Sequence, residues 1–224
     1  MASRPPPGKR VRAAPAGDRA LEATRREAAD CRACPLWKPA TQTVFGEGPA
    51  RARIMLVGEQ PGDQEDIAGR PFVGPAGKML DRALEEAGID RRLVYVTNAV
   101  KHFKFELRGK RRLHKRPNTY EIERCKVWLE LERALVKPSA IVALGATAAR
   151  SLFGRPVTVT KLRGRILQLP DGAAALVTIH PSFLLRIQDA SDKKREYAHF
   201  VADLRLAAKI LAKETARAAT RDVA

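Results

Sequence analysis

The sequence predicts an α/β protein, a three-layer α/β/α sandwich with a central, mainly parallel four-stranded sheet. Two observations carry that prediction. Short apolar runs alternate with amphipathic stretches along the chain, the pattern of strands joined by crossover helices. The runs ARIMLVGE and SAIVALG also have continuous apolar centres, not apolar residues at every second position, as expected of strands buried on both faces.

The elements follow in order. MASRPPPGKRVRAAPAG, residues 1–17, is rich in Pro, Arg and Ala and has no apolar run, so it reads as a disordered basic tail and not as an export signal. Residues 18–224 are expected to form a single domain. DRALEATRREAADC reads as a helix, ARIMLVGE as the first strand, and the Gly-, Pro- and Asp-rich stretch behind it as a loop. GPAGKMLDRALEEAGI is a helix ending near Gly88. RLVYVTNAV is the second strand, and the polar stretch from Lys101 to Asn118 is a long loop. TYEIERCKVWLELERALVKP is an amphipathic helix stopped by Pro138, SAIVALG the third strand, and ATAARSLFG a short helix. GRILQLPDGAAALVTIHP reads as two strands around an Asp-Gly turn. KREYAHFVADLRLAAKILAKETARA closes the chain as a long helix.

A hydrophobic fraction of 45% over 224 residues is enough for a real core. The net charge of +17 repels itself in a compact chain and calls for a polyanionic partner. No apolar run reaches membrane-spanning length, which points to nucleic acid and away from a membrane. The absence of an export signal leads us to expect a cytoplasmic, nucleoid-associated monomer. In that reducing setting three cysteines are metal ligands or core residues, not a disulfide framework.

Ligands of open α/β sheets bind beyond the carboxyl ends of the strands. Four loops leave those ends: GEQPGDQEDIAGRPFVG, TNAVKHFKFELRGKRRLHKRPN, LGATAAR and IHPSFLLR. The first has neither the dinucleotide-binding nor the P-loop spacing, so no nucleotide cofactor is expected. Its glycines, Gly58 and Gly62 among them, admit positive φ and a close approach to a ligand. Its acids Glu59, Asp63, Glu65 and Asp66 form either a solvated turn or a site for positive charge that develops in a reaction. Phe72 is a stacking floor or a core aromatic. CRAC, with Cys31 and Cys34, suits a metal, a redox pair or neither. GKRRLHKRPN, taken alone, is a solvated face that attracts nucleic acid.

Together, GEQPGDQEDIAGRPFVGPAG, TNAVKHFK and IHPSFLLR resemble the uracil-DNA glycosylase superfamily in its iron–sulfur branch, family 4. GKRRLH is similar to the insertion of the UdgX subgroup, whose members bond covalently to their DNA product. The resemblance implies a fold of that type and uracil-containing DNA as partner, single strands favoured. It implies that Phe72 stacks on a flipped uracil in a pocket lined by Gly58 and Gly62, and that Asn98 pairs with the amide edge of the base. A carboxamide offers both a donor and an acceptor, which matches uracil and not cytosine. It further implies that His180 stabilises the departing uracil oxygen, that Glu59, Gln60 and Asp63 flank the sugar, and that Ser182 and Arg186 hold a phosphate. Lys110, Arg111 and Arg112, with Lys115 and Arg116, would clamp DNA, while His114 attacks C1′ and remains bonded to it. Glu59 would orient that imidazole, and flanking cations would keep it neutral. Leu113 stands where the subgroup usually carries isoleucine, a swap that preserves volume.

The family also implies a [4Fe-4S] cluster, with structural zinc as the alternative, held by Cys31, Cys34, His102 and Cys125. His102 departs from the pattern, since family 4 has cysteine there. Two other readings compete with covalent capture: a turnover glycosylase that releases abasic DNA, and a non-enzymatic nucleic-acid module with a structural metal. An acidic GEQPGDQED loop beside a DNA surface argues against the second of these.

Overall fold

The computed structural model describes residues 16–221. Most of the expected basic tail lies outside them, and its last two residues, Ala16 and Gly17, already belong to the first helix, α1 (Ala16–Ala29). The further elements are β1 (Ile54–Gly58), α2 (Asp63–Ala68), α3 (Pro75–Glu86), β2 (Val94–Asn98), β3 (Phe105–Arg108), β4 (Arg111–His114), α4 (Thr119–Val136), β5 (Ala140–Leu144), α5 (Ala146–Phe153), α6 (Val159–Leu162), β6 (Ile166–Gln168), β7 (Ala174–Thr178), α7 (Pro181–Arg186) and α8 (Ala190–Arg221).

The main sheet runs β2-β1-β5-β7-β6. Its first four strands are parallel, as expected, and β6 adds a fifth, antiparallel edge strand to β7. Successive residues of β1 go to opposite faces. Ile54 and Leu56 join the cluster under α3 and α8, with Leu80, Leu84, Phe200 and Leu204. Met55 and Val57 join the cluster under α1, α4 and α5, with Leu21, Leu129 and Leu152. That two-sided burial explains the unbroken apolar runs. No helix among the described residues is long and apolar enough to cross a membrane.

Three segments read as loops from the sequence carry ordered elements, one of them α7 in IHPSFLLR. Asp63–Ala68 is helical because Gly62 opens it, the Glu65 carboxylate reaches back to the Gly62 N–H, and Gly69 closes it at φ 69°. The stretch after Lys101 carries the antiparallel hairpin β3–β4, which turns at Gly109 with φ 59°. Its register sets Phe105 opposite His114 and Leu107 opposite Arg112. The register of the main sheet sets Gly58 beside Asn98 and Leu144 beside Thr178, so the four strand-end loops converge at one edge.

Candidate active site

At that edge lies a cavity of about 790 Å³, lined by Glu59, Phe72, Asn98, His114, His180 and Arg186 among others. Its floor is rigid. Phe72 is buried and sits at φ 56°, a left-handed conformation that a bulky residue adopts only when its surroundings enforce it. Gly58 faces the ring: a Cβ there would lie 2.6 Å from Phe72 and would strike the Asn98 Oδ1. Of the first loop's glycines only Gly69 uses positive φ, so Gly58 is required for space and not for backbone freedom. Asn98 is buried at the end of β2, and its Oδ1 has no hydrogen-bond partner. An orphaned acceptor facing a cavity costs about 1–3 kcal/mol until a ligand donor meets it.

His180 caps α7. Its Nδ1 accepts the Ser182 N–H at 3.2 Å, with the Ser182 Oγ 2.8 Å away, which leaves the ring proton on Nε2. Burial, with further pressure from His114 and Arg186, pushes this imidazole down to about 4. At neutral pH it is therefore an uncharged donor. Ser182 Oγ also accepts from Arg186 Nη1 at 3.2 Å, so this hydroxyl orients the imidazole instead of standing free for a phosphate.

The opposite wall is the hairpin, held by side chains. Gln60 Nε2 donates to the carbonyls of Lys104 and Lys115, both at 3.1 Å, and its Oε1 accepts the Lys104 N–H, so the amide ties the two legs together. Gln60 lines the cavity, and its amide is engaged in holding the hairpin. Arg112 turns inward to Asp63 at 2.5 Å and Asp66 at 2.6 Å, and its guanidinium lies over the rings of Phe103 and Phe105. These contacts revise two expectations. Arg112 is a strut and not a DNA clamp, and Asp63 is its counter-ion and not a lining residue of the cavity. Lys110 and Arg111 remain exposed at the hairpin tip.

So braced, the hairpin places His114 Nε2 3.3 Å from Glu59 Oε1. Burial holds this half-exposed imidazole below its ordinary range; Glu59 opposes that effect, and Arg186 and Arg116 reinforce it. The other carboxylate oxygen of Glu59 accepts the Thr147 hydroxyl and lies 3.7 Å from Arg116 Nε. Thr147 had no assigned part in the sequence, although its loop, LGATAAR, was among the four. Glu65 is a further wall residue. Buried, it accepts the Gly74 N–H at 2.7 Å and the Gly62 N–H at 3.1 Å. The Gly-x-x-Glu spacing of a helix start was the signal for it.

Behind the hairpin, Cys31, Cys34 and Cys125 gather between α1 and α4. Trp128 Nε1 donates to Cys31 Sγ at 3.1 Å, and the Lys101 N–H donates to Cys125 Sγ at 3.2 Å. Cys34 and Cys125 are buried with Leu36, Val100 and Ile122. Burial chiefly, with help from the other two thiols, pushes Cys125 up to about 12. His102 is buried too, but its Nε2 faces the Thr43 hydroxyl at 2.8 Å. Three thiols and one imidazole are donors of the right chemistry for an iron–sulfur cluster or zinc. Among the described residues, however, no three or more such side chains close around a common point.

Residues 45–205 match the family model described as the uracil DNA glycosylase superfamily. Similar proteins include the type-4 uracil-DNA glycosylase of Thermotoga maritima, 40% identical over 74% of this chain and 83% of that one. The type-4 uracil-DNA glycosylase of Sulfurisphaera tokodaii is 33% identical over 80% and 84%. A DNA polymerase of Bacillus phage SP01 is 29% identical over 76% of this chain but 17% of its own length.

Proposed function

The chain belongs to the uracil DNA glycosylase superfamily, and from that premise we propose that it excises uracil from DNA and is then captured covalently, His114 to C1′, as in the UdgX subgroup. The relatives' activity and the cavity support excision. Asn98 offers its orphaned acceptor to the uracil N–H, and the Phe72 ring supports the base. The C1′–N1 bond breaks with its electrons going to the base, which leaves as a uracil anion. The neutral His180 donates from Nε2 to the anionic oxygen, a donor worth about 3 kcal/mol at the transition state. The sugar becomes oxocarbenium-like beside the carboxylate of Glu59.

One observation carries the capture step: the hairpin lies over the cavity and sets His114 against Glu59. A ring nitrogen contributes its lone pair to C1′, ahead of a water that must diffuse in. The resulting imidazolium is balanced by Glu59; the proton on its other ring nitrogen is lost to solvent, and the uracil anion takes up one proton from solvent, so charge and atoms balance. Every bond is accounted for: protein and uracil-DNA give a protein–deoxyribose adduct and free uracil.

The three cysteines and His102 are the donors we infer for a [4Fe-4S] cluster. The match of donor types, and the shared burial of Cys34 and Cys125, support it. The cluster would supply a structural staple between the segment after α1, the start of the hairpin and α4, and no step above passes through it.

The test is a denaturing gel. The protein is mixed with single-stranded DNA that carries one uracil. Wild type should give an SDS-resistant band of protein plus DNA, and His114→Ala should not. Wild type that leaves abasic DNA and no such band would show a turnover glycosylase instead.

A further inference from the structure

We propose that Thr147 is a positioning residue for the Glu59–His114 pair, an inference that deepens the capture reading and rests on it. A carboxylate on a loop can rotate and offer either oxygen, or neither, to an imidazole. Here the two oxygens are divided. Oε1 faces His114 Nε2 at 3.3 Å, while Oε2 takes the Thr147 hydroxyl. The remaining partner of Oε2, Arg116, is exposed and 3.7 Å away, so Thr147 is the fixed support.

Its support comes from the scaffold. Thr147 is buried in the first turn of α5, directly behind β5 at the centre of the sheet. The turn before it is pinned as well: the Gly145 N–H donates to the Thr178 carbonyl at 2.9 Å, and Gly145 packs against His180. One short turn, LGAT, thus spaces the acid on one side of the cavity from the imidazole that receives the leaving base on the other. The hairpin carries the nucleophile, but the sheet fixes the acid that orients it.

Thr147→Val keeps the shape and removes only the hydroxyl, and Thr147→Ser restores it. The rate of adduct formation in single turnover should fall about tenfold in Thr147→Val, as expected for one lost hydrogen bond to a charged group, and should return in Thr147→Ser. DNA affinity should be unchanged. The decisive arm is the Glu59→Ala background, where no acceptor is left for the Thr147 hydroxyl and adding Thr147→Val should have no further effect, because its influence passes through that carboxylate. Equal rates in wild type and Thr147→Val, or additive losses in the double variant, overturn the inference. Failure of the capture reading looks different: wild type then makes no adduct at all, and the same cycle is read on uracil release.

Discussion

The two walls of the cavity are built in opposite ways. Asn98 and His180 stand at or just beyond strand ends of a sheet buried on both faces, where backbone register fixes them, and Phe72, between α2 and α3, is fixed by close packing in the core. His114 stands on a two-stranded hairpin outside that sheet, held by Gln60, Arg112, the Lys104–Glu121 ion pair and the buried ring of Phe103. On the proposed reading, recognition rests on the packed sheet and capture on side-chain struts. Substitutions in the hairpin should separate the two activities, whereas substitutions in the floor should lose both.

The largest effect expected is that of His114→Ala. It should abolish the adduct and leave uracil release with turnover, read by denaturing gel and by base release in parallel. Loss of both activities would show that the walls are not separable. Next comes the floor: Asn98→Ala should lower uracil release by about a hundredfold or more, with adduct falling in step, since a missing partner for a buried polar edge is strongly discriminating. Adduct that persists while release falls contradicts the order of steps.

A smaller effect is expected of Arg112→Met, which keeps bulk over Phe103 and Phe105 but leaves the buried Asp66 with the Thr41 N–H and without its cation. Capture should slow about tenfold while base release changes little, as expected when a buried charge partner is removed from a positioning element. The smallest effect concerns pH. On the proposed capture reading, only the neutral imidazole can attack. Burial, Arg186 and Arg116 hold His114 below its usual range against the pull of Glu59, so capture should keep its rate below about pH 6.5, where a free imidazole protonates, and decline only at lower pH. Arg116→Gln removes one of those cations and should move the acid limb upward. A limb that moves down would contradict the account.

The sheet and its helices were legible in the sequence because two-sided burial writes unbroken apolar runs such as IMLVG and AIVAL, and the four strand-end loops were legible because glycine and proline punctuate them. The hairpin was hidden by its charge: FELR and RRLH alternate weakly, and only the Gly109–Lys110 turn signalled it. For the same reason Arg112 resembled its neighbours Lys110 and Arg111, and nothing in a run of cations marks the one that turns inward. Thr147 and the committed amide of Gln60 depend on pairings 88 and 55 residues apart, which local pattern does not encode. The His102 departure was visible, but its approach to Thr43 was not.

The most direct test of covalent capture is mass spectrometry of the denatured, nuclease-trimmed product of wild-type protein and uracil-DNA. A deoxyribose phosphate without its base, attached to the proteolytic fragment that contains His114, is the predicted result. An unmodified His114 fragment alongside released uracil, or attachment at another residue, would contradict it.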